Sequence, residues 1–324
     1  MSKLNIHLFG KLRIRRDENP LHDSIVGKPV EIFCYVLLNR HAPVMRESLA
    51  DLLWDDLQSK RHLRQTLCAL KKKLYAGHTN FPELLVIKND SVRLNLQADF
   101  WLDVAAFEEA FQSVARISGK ALNGQQAQVL QQATDLYRGD LLEGWYQDWC
   151  LYERERLRDI YITMLLKLMN WCEAQKQYEQ GVYYGEKVLR YDQANERTHR
   201  ALMLLRYLDG DRTGALRQYD RCVEALSNDL QVAPASPTIT LCEKIRADQV
   251  ITSPPGSIQL PTPQTPTIAH LQERLNQFDN LLTAMTQLEQ ELRYDIKLLE
   301  VQQNNQTPSE QDENERKDRK KCEC

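Results

Sequence analysis

Leu63, Leu67, Leu70 and Leu74 recur at steps of four, three and four, and nearly every residue between them is basic or polar. At about 100° per residue these four share one narrow stripe of a helix. Arg61, Gln65, Cys68 and Lys72 then fall on the opposite side, flanked by Arg64 and Lys71, with Lys60 just ahead of them. The pattern predicts an amphipathic helix with a cationic back. Such a helix fits the width of a DNA major groove, where Arg can read guanine and Gln can read adenine. A basic outer face is also the ordinary solvated side of a surface helix, so the residues around it carry the next step.

Upstream, Pro29 stands where a first-turn proline is tolerated, and Ile32, Phe33, Val36 and Leu37 recur at helical spacing, which predicts a first, buried helix. After His41-Ala42-Pro43 a short second helix is predicted to turn Leu49, Leu52, Leu53 and Trp54 inward, and Asp55 to Ser59 to make the turn into the basic helix. Three helices in this order form a helix-turn-helix. Downstream, Leu85 and Ile87 alternate with polar residues, Lys88-Asn89-Asp90-Ser91 read as a turn, and Val92, Leu94 and Leu96 alternate again. A hairpin after a recognition helix is a wing, which places Lys88 and Arg93 beside the reading helix. Leu4, Ile6 and Leu8, then Leu12 and Ile14, predict leading strands.

From residue 99 onward the pattern reads as helical almost throughout, with segments at Val104 to Val114, Gln125 to Tyr137 and Trp149 to Ala174. A shift of 34 residues sets Met169 on Met203, Ala174 on Leu208, Gly181 on Ala215, Val182 on Leu216 and Val188 on Cys222. That is the tetratricopeptide period, although an ordinary helical bundle with chance spacing would also fit so loose a match. Residues 249–267 hold five of the twelve prolines and read as a linker. Ile268, Leu271, Leu275, Phe278, Leu282, Met285, Leu292, Ile296 and Leu299 then keep alternating steps of three and four, broken only at Glu289, which predicts a coiled-coil helix that makes the chain a homo-oligomer. Residues 303–324 are polar and charged and are expected to be disordered. The expected fold is multidomain and mainly α. It comprises an α+β winged helix-turn-helix at 1–98, an all-α tetratricopeptide-like domain at 99–248, the 249–267 linker, the coiled-coil helix at 268–302 and the tail.

Charge divides along the same line. Residues 1–98 carry 16 Lys and Arg against 10 Asp and Glu, a net of +6, and the remainder holds 26 against 35, a net of −9, so the chain's −3 hides a cationic half. That asymmetry points to nucleic-acid contact by one domain. Catalytic readings find little support. The eight cysteines form no CxxC pair and the seven histidines never join them at zinc spacing, so neither a metal nor a cofactor is expected, and the thiols are expected to be reduced and mostly buried. Cys68, on the outer face, is either a small residue tolerated near DNA or a redox handle. No G-x-S-x-G elbow and no phosphate loop occurs, so the chain reads as a non-enzyme. Asp55-Asp56 and Glu108-Glu109 read as solvated acidic pairs, and Gly139 between Arg138 and Asp140 as a helix stop. The longest apolar run, Ile32 to Leu38, is far below the ~20 residues that span a bilayer, and with no signal segment a cytoplasmic protein without membrane contact is expected.

Several strings carry a resemblance in their order and spacing: Leu8-Phe9-Gly10-Lys11-Leu12, Glu47 to Trp54, Tyr137-Arg138-Gly139-Asp140-Leu141-Leu142-Glu143-Gly144 followed by Trp149, Glu153-Arg154-Glu155-Arg156-Leu157, Glu196 to Met203, and Gly210 to Tyr219. From about Leu4 to Ile245 the chain resembles the Streptomyces antibiotic regulatory protein family, whose members join a winged helix to a helical bacterial transcriptional activator domain. The resemblance implies an activator that binds tandem repeats in double-stranded DNA near a promoter and touches RNA polymerase. It gives the Arg61 to Lys72 face the base-reading role and Lys88 with Arg93 a backbone or minor-groove role. No receiver domain is expected before the winged helix, and the ATPase module of larger members has no counterpart. Two other classes stay open: a tetratricopeptide-type scaffold whose winged helix binds protein, and a regulator that senses a small molecule through its helical domain.

Overall fold

The structure, a computed structural model, describes residues 4–17, 19–21, 25–54, 58–75 and 83–249. The apolar seam from Ile268 to Leu299, the linker and the tail lie outside the described residues. Strands β1 (Leu4–His7) and β2 (Arg13–Arg16) pair antiparallel with Ile6 opposite Ile14, both fully buried, as their alternation predicts. A two-residue strand β3 (Asn19–Pro20) adds to the free side of β2, an edge position where proline removes no ladder bond.

Helix α1 (Lys28–Leu38) starts after Gly27, whose φ of 73° suits glycine, and carries Pro29 in its first turn. It buries Ile32, Phe33, Val36 and Leu37 completely. Then come β4 (Val44–Met45), α2 (Arg46–Leu53), α3 (Ser59–Leu74) and the hairpin β5 (Leu85–Ile87) and β6 (Ser91–Leu94). Val92 pairs with both Val44 and Ile87, so β6 is the middle strand of this second sheet. Helix, strand, two helices and hairpin is the order of a winged helix. Two expectations fail locally. Leu52 is 41% exposed, because Leu49, Ala50 and Leu53 form the buried stripe of α2 and Leu52 falls about 100° from its centre. Leu96 is exposed because β6 ends at Leu94, where the Asn95 side-chain oxygen accepts from the Gln97 N–H and turns the chain.

Residues 99 onward do not begin with a helix. Phe100–Leu102 form β7, parallel to β1 with Leu4 opposite Phe100 and Ile6 opposite Leu102, so the N-terminal sheet is completed from beyond residues 1–98. The helices α4 (Asp103–Val114), α5 (Gly124–Leu136) and α6 (Asp148–Ala174) follow the predicted spans to within about one residue, with a short 3-10 turn at Gly119–Ala121. Then come α7 (Tyr178–Leu189), α8 (Glu196–Leu208), α9 (Arg212–Asp229) and α10 (Ser236–Arg246). The loose 34-residue register is structural: α6 and α8 end at Ala174 and Leu208, and α7 and α9 start at Tyr178 and Arg212. Gly181 and Ala215 are each buried at the fourth position of the second helix of a pair. A Cβ on Gly181 would stand 3.0 Å from Leu205 Cδ1 of α8 and 3.4 Å from Cys172 Cβ of α6, so a small residue there lets three helices meet.

Two of the strings behind the resemblance, some 130 residues apart in sequence, pack on each other. The Gly10 N–H donates to Asp140 O (2.9 Å), Leu142 N–H to Leu8 O (2.8 Å) and Glu143 N–H to Gly10 O (2.9 Å). Phe9 packs edge-on to Phe107 at 5.0 Å and against Tyr137 at 4.8 Å. Asp103, 1% exposed, accepts from the N–H groups of Leu8, Phe9 and Val104. Gly139 is therefore more than a helix stop. A Cβ there would lie 2.2 Å from Glu143 Oε1 and 3.4 Å from Gly10 Cα, so it marks a close approach of two chain segments. Glu108 corrects another expectation. Far from solvated, it is 8% exposed and held between Arg40, after α1, and Arg156 of α6.

Candidate nucleic-acid interface

Helix α3 forms because a sixteen-residue run carries one apolar stripe and no Gly or Pro. Leu63, Leu67, Leu70 and Leu74 are each at most 3% exposed. Lys71, Lys72 and Lys73 occupy its last turn, where cations complement the negative end of the helix dipole. Its C-terminal end is tied down by Arg16 and Tyr75. Arg16 of β2 donates from Nη2 to Leu74 O (2.7 Å), capping the C-terminus of α3. The Tyr75 hydroxyl accepts from the N–H groups of Leu84 and Leu85, which fixes the hairpin to the end of α3. Arg16 was legible, since it shares a strand face with buried Ile14. Tyr75 was not, because nothing local marks its partner.

Lys60, Arg61, Arg64, Gln65, Cys68, Lys71 and Lys72 are all exposed on the outer face of α3. Arg61, Arg64, Gln65 and Lys72 have no ion pair or side-chain hydrogen bond among the described residues. Lys60 and Lys71 differ. Lys60 Nζ lies 2.5 Å from Glu47 Oε1 of α2, and Lys71 pairs with Glu83. These hydrogen bonds raise both ammonium pKa values. Lys88 and Arg93 are exposed on the hairpin. Its turn is braced by Arg46, whose N–H donates to Asp90 O (2.8 Å) and whose guanidinium donates to the carbonyls of Lys88 and Asn89 at 3.4 Å. The fold thus brings the predicted helix residues together on one face, with Lys88 on a turn fixed to α2 and Arg93 on β6. Cys34, Cys150, Cys172, Cys222 and Cys242 are free and buried, and Cys68 alone among the described thiols is exposed.

Residues 102–246 match the bacterial transcriptional activator domain family. Among solved structures, Mycobacterium tuberculosis EmbR in complex with a low-affinity phosphopeptide aligns with a TM-score of 0.58 and 19% identity, over 77% of this chain and 66% of that one. This chain therefore spans slightly under two thirds of that protein's length, and the likeness speaks for the fold. The C-terminal TPR-containing domain of a Plasmodium falciparum FK506-binding protein aligns with a TM-score of 0.31 and 17% identity, over 45% of this chain and 87% of that one. No curated protein matches the chain by sequence. The helical part of the chain, residues 102–246, is thus similar to a bacterial transcriptional activator domain. No described helix is long and apolar enough to cross a membrane.

Proposed function

We propose that the chain is a transcriptional regulator of the Streptomyces antibiotic regulatory protein type, which binds specific double-stranded DNA through α3 and the β5–β6 hairpin and activates transcription by presenting its helical domain to RNA polymerase. The observation that carries the reading is the state of the outer face of α3: Arg61, Arg64, Gln65 and Lys72 stand in solvent with no side-chain partner among the described residues, while the leucines behind them are buried. Those donors suit base edges, with Arg to guanine and Gln to adenine. Lys60 and Lys71 would exchange Glu47 and Glu83 for phosphates, and exposed ion pairs of this kind contribute little to stability. Lys88 and Arg93 would meet the backbone beside the groove.

Arg61→Ala or Arg64→Ala is expected to cost about 1–3 kcal/mol of binding to the specific site with no change in folding, measured by titration against specific and random duplexes. Equal losses on both duplexes would remove these residues from base reading. Unchanged affinity for DNA of any sequence would favour the protein-binding scaffold instead. We further propose that residues 268–302 join copies of the chain, since their apolar seam would otherwise face water. Two linked readers would raise avidity on a repeated site, by about 100-fold or more. Light scattering on the intact chain and on one ending at Val250 tests this, and monomeric masses for both would sink it.

A further inference from the structure

Away from α3, a second set of cations stands without side-chain partners among the described residues. Lys11, from the β1–β2 connection, Arg13, at the start of β2, and Arg138, from the segment between α5 and α6, line a hollow of about 320 Å³ together with His7, Gly10 and Glu143. Arg15 lies close enough for its charge to act on His7. All four cations are exposed, and none has an ion pair or a side-chain hydrogen bond among the described residues. Their neighbours contrast with them. Arg154 donates to the carbonyls of Leu141, Leu142 and Trp145, and Arg158 pairs with Asp140 and Glu155. Glu143 is the one carboxylate lining the hollow, and the nearby Asp103 carboxylate is already engaged by three backbone N–H groups.

We propose that this hollow binds a small phosphate-bearing ligand. Three cations facing one small space repel one another, and an anion carrying two or more charges relieves that repulsion where a single carboxylate would not. Guanidinium forks match phosphate oxygens in bidentate geometry, and Glu143 at the wall is placed to accept from a ligand hydroxyl. The volume suits a small metabolite, at the lower end of ordinary ligand pockets. The lining comes from two parts of the chain, the β1–β2 hairpin beside the reading domain and the α5–α6 segment of the helical domain. A bound anion therefore bridges them, and gives a regulator of this type an effector site at its internal joint. His7 supplies an independent readout. Its ring sits 5.0 Å from the Trp101 ring and its Nδ1 3.9 Å from Asp103 Oδ2, and its pKa is lowered by burial and then by Arg138, Arg13 and Arg15. An anion among those guanidiniums offsets their charge and lets the His7 pKa rise.

The test is a calorimetric titration of the full chain with inorganic phosphate and with pyrophosphate at constant ionic strength, with chloride as control, alongside an NMR pH titration of His7. Saturable binding is expected, tighter for pyrophosphate, with the His7 pKa raised by the anion. Arg13→Gln and Arg138→Gln should each weaken binding about tenfold with unchanged melting in chloride, and Arg61→Ala should leave it unchanged. A response no different from chloride, or full affinity in both Gln variants, would overturn the assignment. So would Arg138→Gln weakening DNA binding while neither free anion binds, because the hollow would then hold a phosphate of the duplex. Since Arg61→Ala tests α3 separately, failure here leaves the DNA reading standing.

Discussion

Arg61 and Arg64 stand exposed on α3 with no side-chain partner among the described residues, whereas Arg40 and Arg156 close on the two oxygens of Glu108 and Arg154 donates to three backbone carbonyls. Residue type is the same in both regions, and solvent makes the difference. At the joint a charge taken out of water must be matched by a carboxylate or by carbonyls, so the arginines there hold segments together. On α3 water screens the charge, the fold asks nothing of it, and it stays available to an incoming polyanion. An arginine's role here is thus decided by what surrounds it.

The largest expected effect comes from breaking a matched set. Arg40 is 5% exposed at its side chain and Glu108 10%, and Glu108 is held below the ordinary carboxylate range because the hydrogen bonds from Arg40 and Arg156 outweigh its burial. Glu108→Gln leaves Arg40 buried against a neutral amide and is expected to cost about 3–5 kcal/mol in urea unfolding. Arg61→Ala should leave the same measurement unmoved. A loss below about 1 kcal/mol for Glu108→Gln would break the comparison, because buried and exposed arginines would then be equivalent.

Asp103 carries the contrast over to carboxylates. Burial pushes its pKa from 3.8 to about 6, against the pull of the Phe9, Leu8 and Val104 N–H groups and the charge of Arg138. The folded chain therefore binds this proton more tightly than the unfolded chain does. The resulting stability is fully present below about pH 4 and is lost as pH rises through about 6, with a full swing of about 3 kcal/mol. His7 works the other way, since its lowered pKa removes stability as pH falls below its ordinary 6.5. Asp103→Asn deletes the first contribution. The stability of the unaltered chain relative to this variant should rise as pH falls from 7 to 4, and a difference independent of pH would show that burial does not control this carboxyl.

Legibility in the sequence follows the same division. Helix α3 was readable because sixteen residues repeat one stripe several times over, and the paired helices because length preserves a 34-residue spacing even where identities drift. Strand β7 was not, since Phe100–Leu102 is too short to show a period and is made a strand by β1 lying alongside. Glu108 and Glu109 look alike in sequence, and only the approach of Arg40 and Arg156 buries one of them. The candidate reading face was visible because exposure follows from the helix period alone. Its supports, Tyr75 and Arg46, act through distant backbone, which no local pattern records. The cationic hollow was missed for that reason too: Lys11 and Arg138 meet only because Gly10 and Gly139 let two chain segments approach closely.

The smallest expected effect separates cations within the exposed set. Lys88 is exposed at the hairpin turn, its N–H donates to Ser91 O (2.8 Å), and Arg46 braces the Lys88 and Asn89 carbonyls, so the turn keeps its shape without the ammonium. If the hairpin lies along the DNA backbone, Lys88→Ala releases one phosphate contact and nothing else. Affinity should then fall alike on specific and random duplexes, and the slope of log affinity against log salt should shrink by about 0.9. Arg61→Ala should do the reverse in kind, losing discrimination between duplexes. A Lys88→Ala variant that loses discrimination would move the hairpin into base reading. One with an unchanged slope would take Lys88 off the DNA and leave α3 to carry the interface with Arg93 alone from the wing.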